Sequence, residues 1–396
     1  MNEQSYKIAT IKICAYKYIS NFHMFSAILI PFFTLWAKLS IFQFMLLEAW
    51  CMLCMFIFEI PSGAVADYMG RKYTMIAGLI IQAFGFIIYV SFPNFYVYML
   101  GEAVVAVGFS LISGTEEAFI YDTLKRHNKE SDSKRVFGRA ESFGLAGIMT
   151  AAPFGSFLAQ KAGLSKPLFF MFVPLAIAIL ILLTMKEPLF SGMQKEKSSY
   201  LNIIKSGVSI FYKNSALKIL AMDMVFITTM GFLMVWLYQL MLKEAGVELI
   251  FYGFVNTLMV VFEIILLNSY NKLEKLLKSK KRLLFLSSLL IGIMFIVGGI
   301  TTFIPIVIMV ILIVGGFALS RKALMMSYMN RFIPSAERAT VISSSTMLIS
   351  FTKMIFFPLV GLVTEKISLS AVLIFLGIIT IFFTFISRIE EKHLVD

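Results

Sequence analysis

Twelve mostly apolar stretches follow one another along the chain, at 13–37, 40–66, 73–92, 95–123, 137–160, 167–185, 216–241, 249–270, 283–301, 303–325, 339–363 and 368–387. In most of them the apolar residues fill every helical face instead of one stripe. A helix needs about 20 such residues to cross a bilayer, so the pattern predicts twelve membrane helices. Barrel strands are about half that length and alternate in polarity, which these runs do not. The first run is longer than a cleavable signal core and no small-residue cleavage site follows it, so no signal peptide is expected.

The polar connections carry the orientation. With the N-terminus inside, 29 Lys and Arg fall on the inner side and five on the outer: Lys38, Lys161, Lys166, Lys243 and Lys366. Lys353, well inside a span, is the one basic residue assigned to neither side. Basic residues collect in cytoplasmic loops, so both termini are expected in the cytoplasm of a plasma membrane, here a bacterial one. The longest connection, 186–215, separates six spans from six. Leu201, Ile204, Val208 and Phe211 recur there at helical spacing beside Lys205 and Lys213, the pattern of an amphipathic surface helix. The expected organisation is an N-terminal bundle (1–185), a cytoplasmic linker (186–215) and a C-terminal bundle (216–396). Two such bundles suggest an internal repeat, although no direct similarity between them is visible.

Composition sharpens this picture. The 396 residues are 59% apolar and 15% charged, against about 25% charged in soluble domains. The net charge of +12 therefore reads as membrane topology and not as a nucleic-acid footprint. Cys14, Cys51 and Cys54 lie in or beside apolar segments. The Cys51/Cys54 pair has no second pair to complete a zinc site, so neither metal nor cofactor is expected.

A charge within the bilayer marks a pathway, a pair or a helix end. The third, sixth, ninth and twelfth spans carry none, which predicts a peripheral place for them around eight helices enclosing a polar cavity. The candidates for proton coupling or substrate binding are Glu48, Glu102, Glu116, Glu117, Asp223, Lys353 and His23, with Glu59, Glu141 and Glu263 also in spans. Glu102 and Glu116 are fourteen residues apart, about 40° around a helix, so both are expected on one face. Glu48 and Glu59 are expected to share another. His23 is expected inside the first helix, where a packing role competes with a titrating one. Asn21, Phe109, Met222, Trp236, Tyr238 and Gln239 complete the candidate lining.

Between the second and third spans the chain reads Glu59-Ile-Pro61-Ser-Gly63-Ala-Val-Ala-Asp67-Tyr-Met-Gly70-Arg71-Lys72. This closely resembles the GxxADxxGRK signature of the major facilitator superfamily, in its usual place. The leading Glu59 and Pro61 resemble the variant found in clostridial P-type tetracycline exporters. The resemblance implies a conformational latch in which Asp67 and Arg71 form a charge network, joined by Asp122 at the end of the fourth span. Gly144-Leu-Ala-Gly147-Ile-Met-Thr-Ala-Ala152-Pro153-Phe-Gly155-Ser156 is similar to the fifth-helix motif of superfamily antiporters, with Ala152 and Ser156 in place of glycines. Antiporters usually carry an Arg early in the fourth span, where this chain has Glu102.

The implied protein is a secondary transporter, not an enzyme. No phosphate-binding GxxxxGK[ST] loop is present, and neither is an HExxH or GxSxG motif. The expected activity is proton-coupled efflux of amphipathic small molecules or drugs by a monomer, with protons and the lipid bilayer as its other partners. An importer, or a dedicated exporter of one metabolite or peptide, is the alternative.

Overall fold

The computed structural model describes residues 3–187, 214–329, 331–333 and 338–394. All regular structure among them is helical. Twelve helices are labelled in order: α1 (Glu3–Ser20), α2 (Ile41–Met69), α3 (Arg71–Ser91), α4 (Phe95–Arg126), α5 (Ser133–Ala162), α6 (Phe172–Leu183), α7 (Ser215–Glu244), α8 (Tyr252–Leu277), α9 (Lys280–Ile300), α10 (Ile304–Met329), α11 (Arg338–Lys366) and α12 (Leu369–Ile386). Eleven segments among the described residues are long and apolar enough to cross a membrane, and together they take in α2 to α12.

The first apolar stretch is present but interrupted, which corrects the continuous helix expected over 13–37. α1 begins well before that stretch and stops at Ser20, residues 21–28 form turns, and helix resumes at Leu29–Pro31 and Phe32–Trp36. The cause is local. The Asn21 side chain donates to the Lys17 carbonyl, and the His23 backbone N–H turns back on the Asn21 carbonyl. Side chains of this kind compete with the helical ladder. The expected linker helix (Leu201, Ile204, Lys205, Val208, Phe211, Lys213) lies outside the described residues.

The chain divides into two compact units. One comprises Met1–Gln194 with Leu249–Thr257, the other Lys195–Glu248 with Leu258–Asp396. In the first, α3 packs on α4, α2 on α4, and α1 on α5. In the second, α9 packs on α12 and α7 on α10. Small residues let membrane helices approach backbone to backbone, and α5 uses them against the broken first helix. A Cβ at Gly155 would stand 1.7 Å from the Met24 carbonyl oxygen, and one at Gly147 2.2 Å from that of Tyr18. Pro153 is held within a continuous α5. Within the same unit, a Cβ at Gly253 would stand 2.2 Å from the Ala152 carbonyl oxygen.

Each unit closes one helix end with a carboxylate from beyond its last helix. Glu187 accepts from the backbone N–H groups of Arg71 and Lys72 at the start of α3, at 2.8 and 3.0 Å. Glu391 does the same for Lys280 and Lys281 at the start of α9, again at 2.8 and 3.0 Å. The first N–H groups of a helix have no partner within it and carry partial positive charge, so a carboxylate is the fitting cap. Lysine tails return the contact: Lys72 Nζ reaches the Met185 carbonyl at 3.1 Å and Lys280 Nζ that of Leu394 at 3.0 Å.

Candidate functional site

The signature between α2 and α3 is built from a helix, one turn residue and a cap. α2 runs through Pro61 to Met69, and Gly70 ends it with φ 87°, a conformation that favours glycine. Gly63, by contrast, faces open space, where a Cβ would meet nothing within 4 Å. Arg71 pairs with Asp122 at the end of α4, and its guanidinium also donates to the Ala118 carbonyl. Asp67 is exposed and stands outside that ion pair, so the Asp67–Arg71 link drawn from the resemblance is absent. Lys72 is buried over the Tyr73 ring. Glu59 is exposed on α2, whereas Glu48 is buried, so these two do not share an environment.

A second cluster lies deeper in the same unit. Glu102 on α4 is 5% exposed and hydrogen-bonds with the Cys51 thiol of α2 and the Tyr89 hydroxyl of α3. Cys51, Cys54 and Ala106 form the surrounding core with Trp50 and Met55 against them. The Trp50 indole N–H donates to the Met99 carbonyl at 2.9 Å and ties α2 to α4. All three cysteines are free thiols.

Glu116 meets different neighbours. Lys17 Nζ of α1 lies 3.0 Å from Glu116 and 3.4 Å from Glu141 of α5. Glu102 and Glu116 are therefore not stations on one surface. Fourteen residues of helix rise about 21 Å, enough for α4 to pass from α2 and α3 to α1 and α5. Glu117 is exposed beside Glu116. His23 stands in the break of the first helix, stacked on Phe25 at 5.2 Å and edge-on to Phe109 at 6.3 Å.

The second unit has its own charged pair, which corrects one expectation. Arg321, counted with the basic residues of the inner side, is inside α10 and 1% exposed. Asp223, a candidate for coupling or substrate binding, is 3% exposed and 3.4 Å from the Arg321 Nε. Arg321 also donates to the Leu284 carbonyl and the Ser288 hydroxyl of α9. Lys353 of α11 is buried with its ammonium 4.0 Å from the centre of the Phe232 ring, a cation–π contact. Met222 is exposed, whereas Tyr238 and Gln239 are buried.

The two pairs correspond. Lys17 of α1 meets Glu116 of α4, and Asp223 of α7 meets Arg321 of α10: in each unit the first helix is tied to the fourth. Asp223 follows Lys17 by 206 residues and Arg321 follows Glu116 by 205. Pro358 in α11 follows Pro153 in α5 by 205, and Glu391 follows Glu187 by 204. The repeat is thus carried by placed chemistry, and its ion pair is inverted in sign. Searching the sequence for charges and prolines at one constant offset would have found Arg321 and both caps.

Among the described residues no group of three or more His, Cys, Asp or Glu is arranged to hold a metal ion.

Helical bundles with charged pairs inside them define a polytopic membrane protein, and comparison with known proteins gives the family. Residues 19–318 match the model of the Major Facilitator Superfamily, and the chain belongs to that superfamily. A point variant of the nucleoside transporter NupG superposes with a TM-score of 0.81 at 12% identity, covering 96% of this chain and 98% of that one. A D-xylose–proton symporter gives 0.73 at 11%, covering 98% of each. At such identities the likeness is one of fold. Among curated relatives, an uncharacterized transporter of Buchnera aphidicola is 31% identical over 98 residues, 25% of this chain. The vesicular acetylcholine transporter of Drosophila melanogaster is 26% identical over 136 residues, 34% of this chain. These matches span only 22% and 23% of the two relatives' lengths.

Proposed function

We propose that this chain is a proton-coupled antiporter that exports amphipathic small molecules, organic cations among them, by alternating access. The observation that carries this reading is Glu102: a carboxyl group 5% exposed, in hydrogen-bond contact with a thiol and a phenol, with buried Glu48 on the neighbouring α2. An ionisable group kept inside a membrane bundle is a functional site by default, and a glutamate can take and release the coupled proton. The cationic class is favoured by Glu116 and Glu141, two carboxylates on the single ammonium of Lys17, with a third, Glu117, next to Glu116. It is also favoured by the partial similarity to a transporter of acetylcholine, an organic cation. The Arg71–Asp122 pair acts as the conformational latch. The protein works as a monomer in a plasma membrane with both termini in the cytoplasm.

Import, or export of one dedicated metabolite or peptide, is the second reading. The fold neighbours that favour it include the nucleoside transporter, the xylose–proton symporter and a peptide transporter of the POT family.

Glu102→Gln keeps the shape and removes titration. In proteoliposomes it is expected to spare equilibrium exchange of a lipophilic cation and to stop uphill transport under a pH gradient. Full uphill transport by the variant would remove Glu102 from coupling. Loss of both activities would place it in substrate binding or folding.

A further inference from the structure

A cavity lies beside α1 in the first unit. It is a cleft of about 820 Å3 between α1 and the beginning of α5, entirely within the first unit. Pockets of 300–1,000 Å3 are the size that small molecules occupy.

Its walls change character in the same sense along both helices. On α1, Glu3 and Lys7 come first, and Ile11 and Ala15 follow on the same face. On α5 and the turn before it, Asp132, Arg135 and Arg139 come first and Phe143 follows. One end of the cleft is charged and the other apolar. The expected spans begin at residues 13 and 137, within a turn of where the walls change character, so the charged end lies at the membrane surface and the apolar end reaches into the hydrocarbon.

The charge is not balanced internally. Lys7 pairs with Glu3 at 3.7 Å, and Arg135 with Asp132 at 3.0 Å. The Asp132 carboxylate also accepts from the Tyr6 hydroxyl at 2.7 Å. Two cations are left over: Lys129, over the Tyr6 ring at 5.6 Å, and Arg139. Neither is ion-paired among the described residues, and Arg139 is exposed. The cleft therefore offers two uncompensated positive charges at the membrane surface, above an apolar floor.

We propose that this cleft binds an anionic phospholipid, its phosphate between Lys129 and Arg139 and an acyl chain along Ile11, Ala15 and Phe143. The assignment rests on the orientation read from the basic connections, which puts this end of α1 at the cytoplasmic leaflet. That leaflet carries the anionic lipids, and basic pockets between helices on that side recognise their head groups. Arginine is suited to the phosphate because its planar fork can bond two oxygens at once. Charge sign and the polar-to-apolar order together select a lipid over a soluble anion, which has no use for the apolar floor.

The test uses the purified protein in detergent. Native mass spectrometry with dioleoyl phosphatidylglycerol is expected to give a one-to-one adduct, at least tenfold weaker with phosphatidylcholine. The Lys129→Gln/Arg139→Gln variant is expected to lose at least tenfold of the phosphatidylglycerol binding and none of the phosphatidylcholine binding. A second variant covers failure of that one to fold. In Phe143→Trp, phosphatidylglycerol brominated on its chains is expected to quench the added indole more strongly than brominated phosphatidylcholine. Equal binding or quenching by the two lipids overturns the proposal, and so does unchanged phosphatidylglycerol binding in the double variant. Displacement of the lipid by inorganic phosphate at equal concentration would make the site one for a free anion and overturn it too.

Discussion

Lys17–Glu116 and Asp223–Arg321 occupy matching places in the two units but differ in surroundings. The Lys17 and Glu116 side chains are each 13% exposed, and Lys17 is shared with Glu141, itself 71% exposed. The Asp223 and Arg321 side chains are 5% and 2% exposed. Removing one member of a buried pair strands the other charge, at about 3–5 kcal/mol, whereas removing both is often close to neutral. Asp223→Asn is therefore expected to lower stability in micelles by that amount, and Asp223→Asn/Arg321→Met to recover most of it. Lys17→Met is expected to act more mildly, because Glu116 and Glu141 have some access to water. Chemical denaturation followed by tryptophan fluorescence measures all three. An Asp223→Asn protein as stable as the wild type would mean that the pair bears no load. Of these four residues the sequence marked Glu116 and Asp223 as candidates. It missed Lys17 and Arg321 because each lies within a turn or two of a span boundary, and hydropathy cannot separate a buried lysine or arginine there from a loop residue.

At the level of elements, the ends and breaks of helices hold most of what the sequence did not disclose. Eleven of the twelve spans were legible, since continuous apolar runs leave no other solution in a bilayer. The break at residues 21–28 was not, because it depends on where Gly147 and Gly155 of α5 receive the first helix's carbonyls. The caps were hidden for a related reason: Glu187 and Arg71 are 116 residues apart. Glu391 is the more exposed cap. Partial burial raises its pKa, but the N–H groups of Lys281 and Lys280 and the Ser279 hydroxyl hold it below the ordinary carboxylate value. A carboxyl group with a depressed folded pKa stabilises above its unfolded value and loses that contribution as the pH falls through the folded one. Glu391→Ala is thus expected to cost about 1 kcal/mol at pH 7, the usual worth of a cap. The difference from wild type should close as the pH drops below about 4. A gap that persists there in thermal unfolding would assign the loss to packing and not to charge.

For the whole molecule, two compact units with a shared offset of 204–206 residues between corresponding charges, prolines and caps describe a duplicated bundle whose halves have diverged in sign. The fold was readable because membrane spanning and the signature at Asp67–Lys72 are strong constraints. The repeat was legible only as two sets of six spans, because what persists is the position of chemistry and not residue identity. Lysine in one unit stands where aspartate stands in the other, and glutamate where arginine stands. This asymmetry suits a transporter in which one half carries an accessible acidic site and the other a sealed brace. The direct test of proton-coupled export is transport by the wild-type protein, reconstituted in proteoliposomes with a pH gradient as the sole energy source. Radiolabelled tetraphenylphosphonium serves as the probe cation, at zero membrane potential. Accumulation on the acidic side above equilibrium, abolished by a protonophore, is the expected result. Equilibration at the same rate with and without the gradient, or accumulation on the alkaline side, would contradict it.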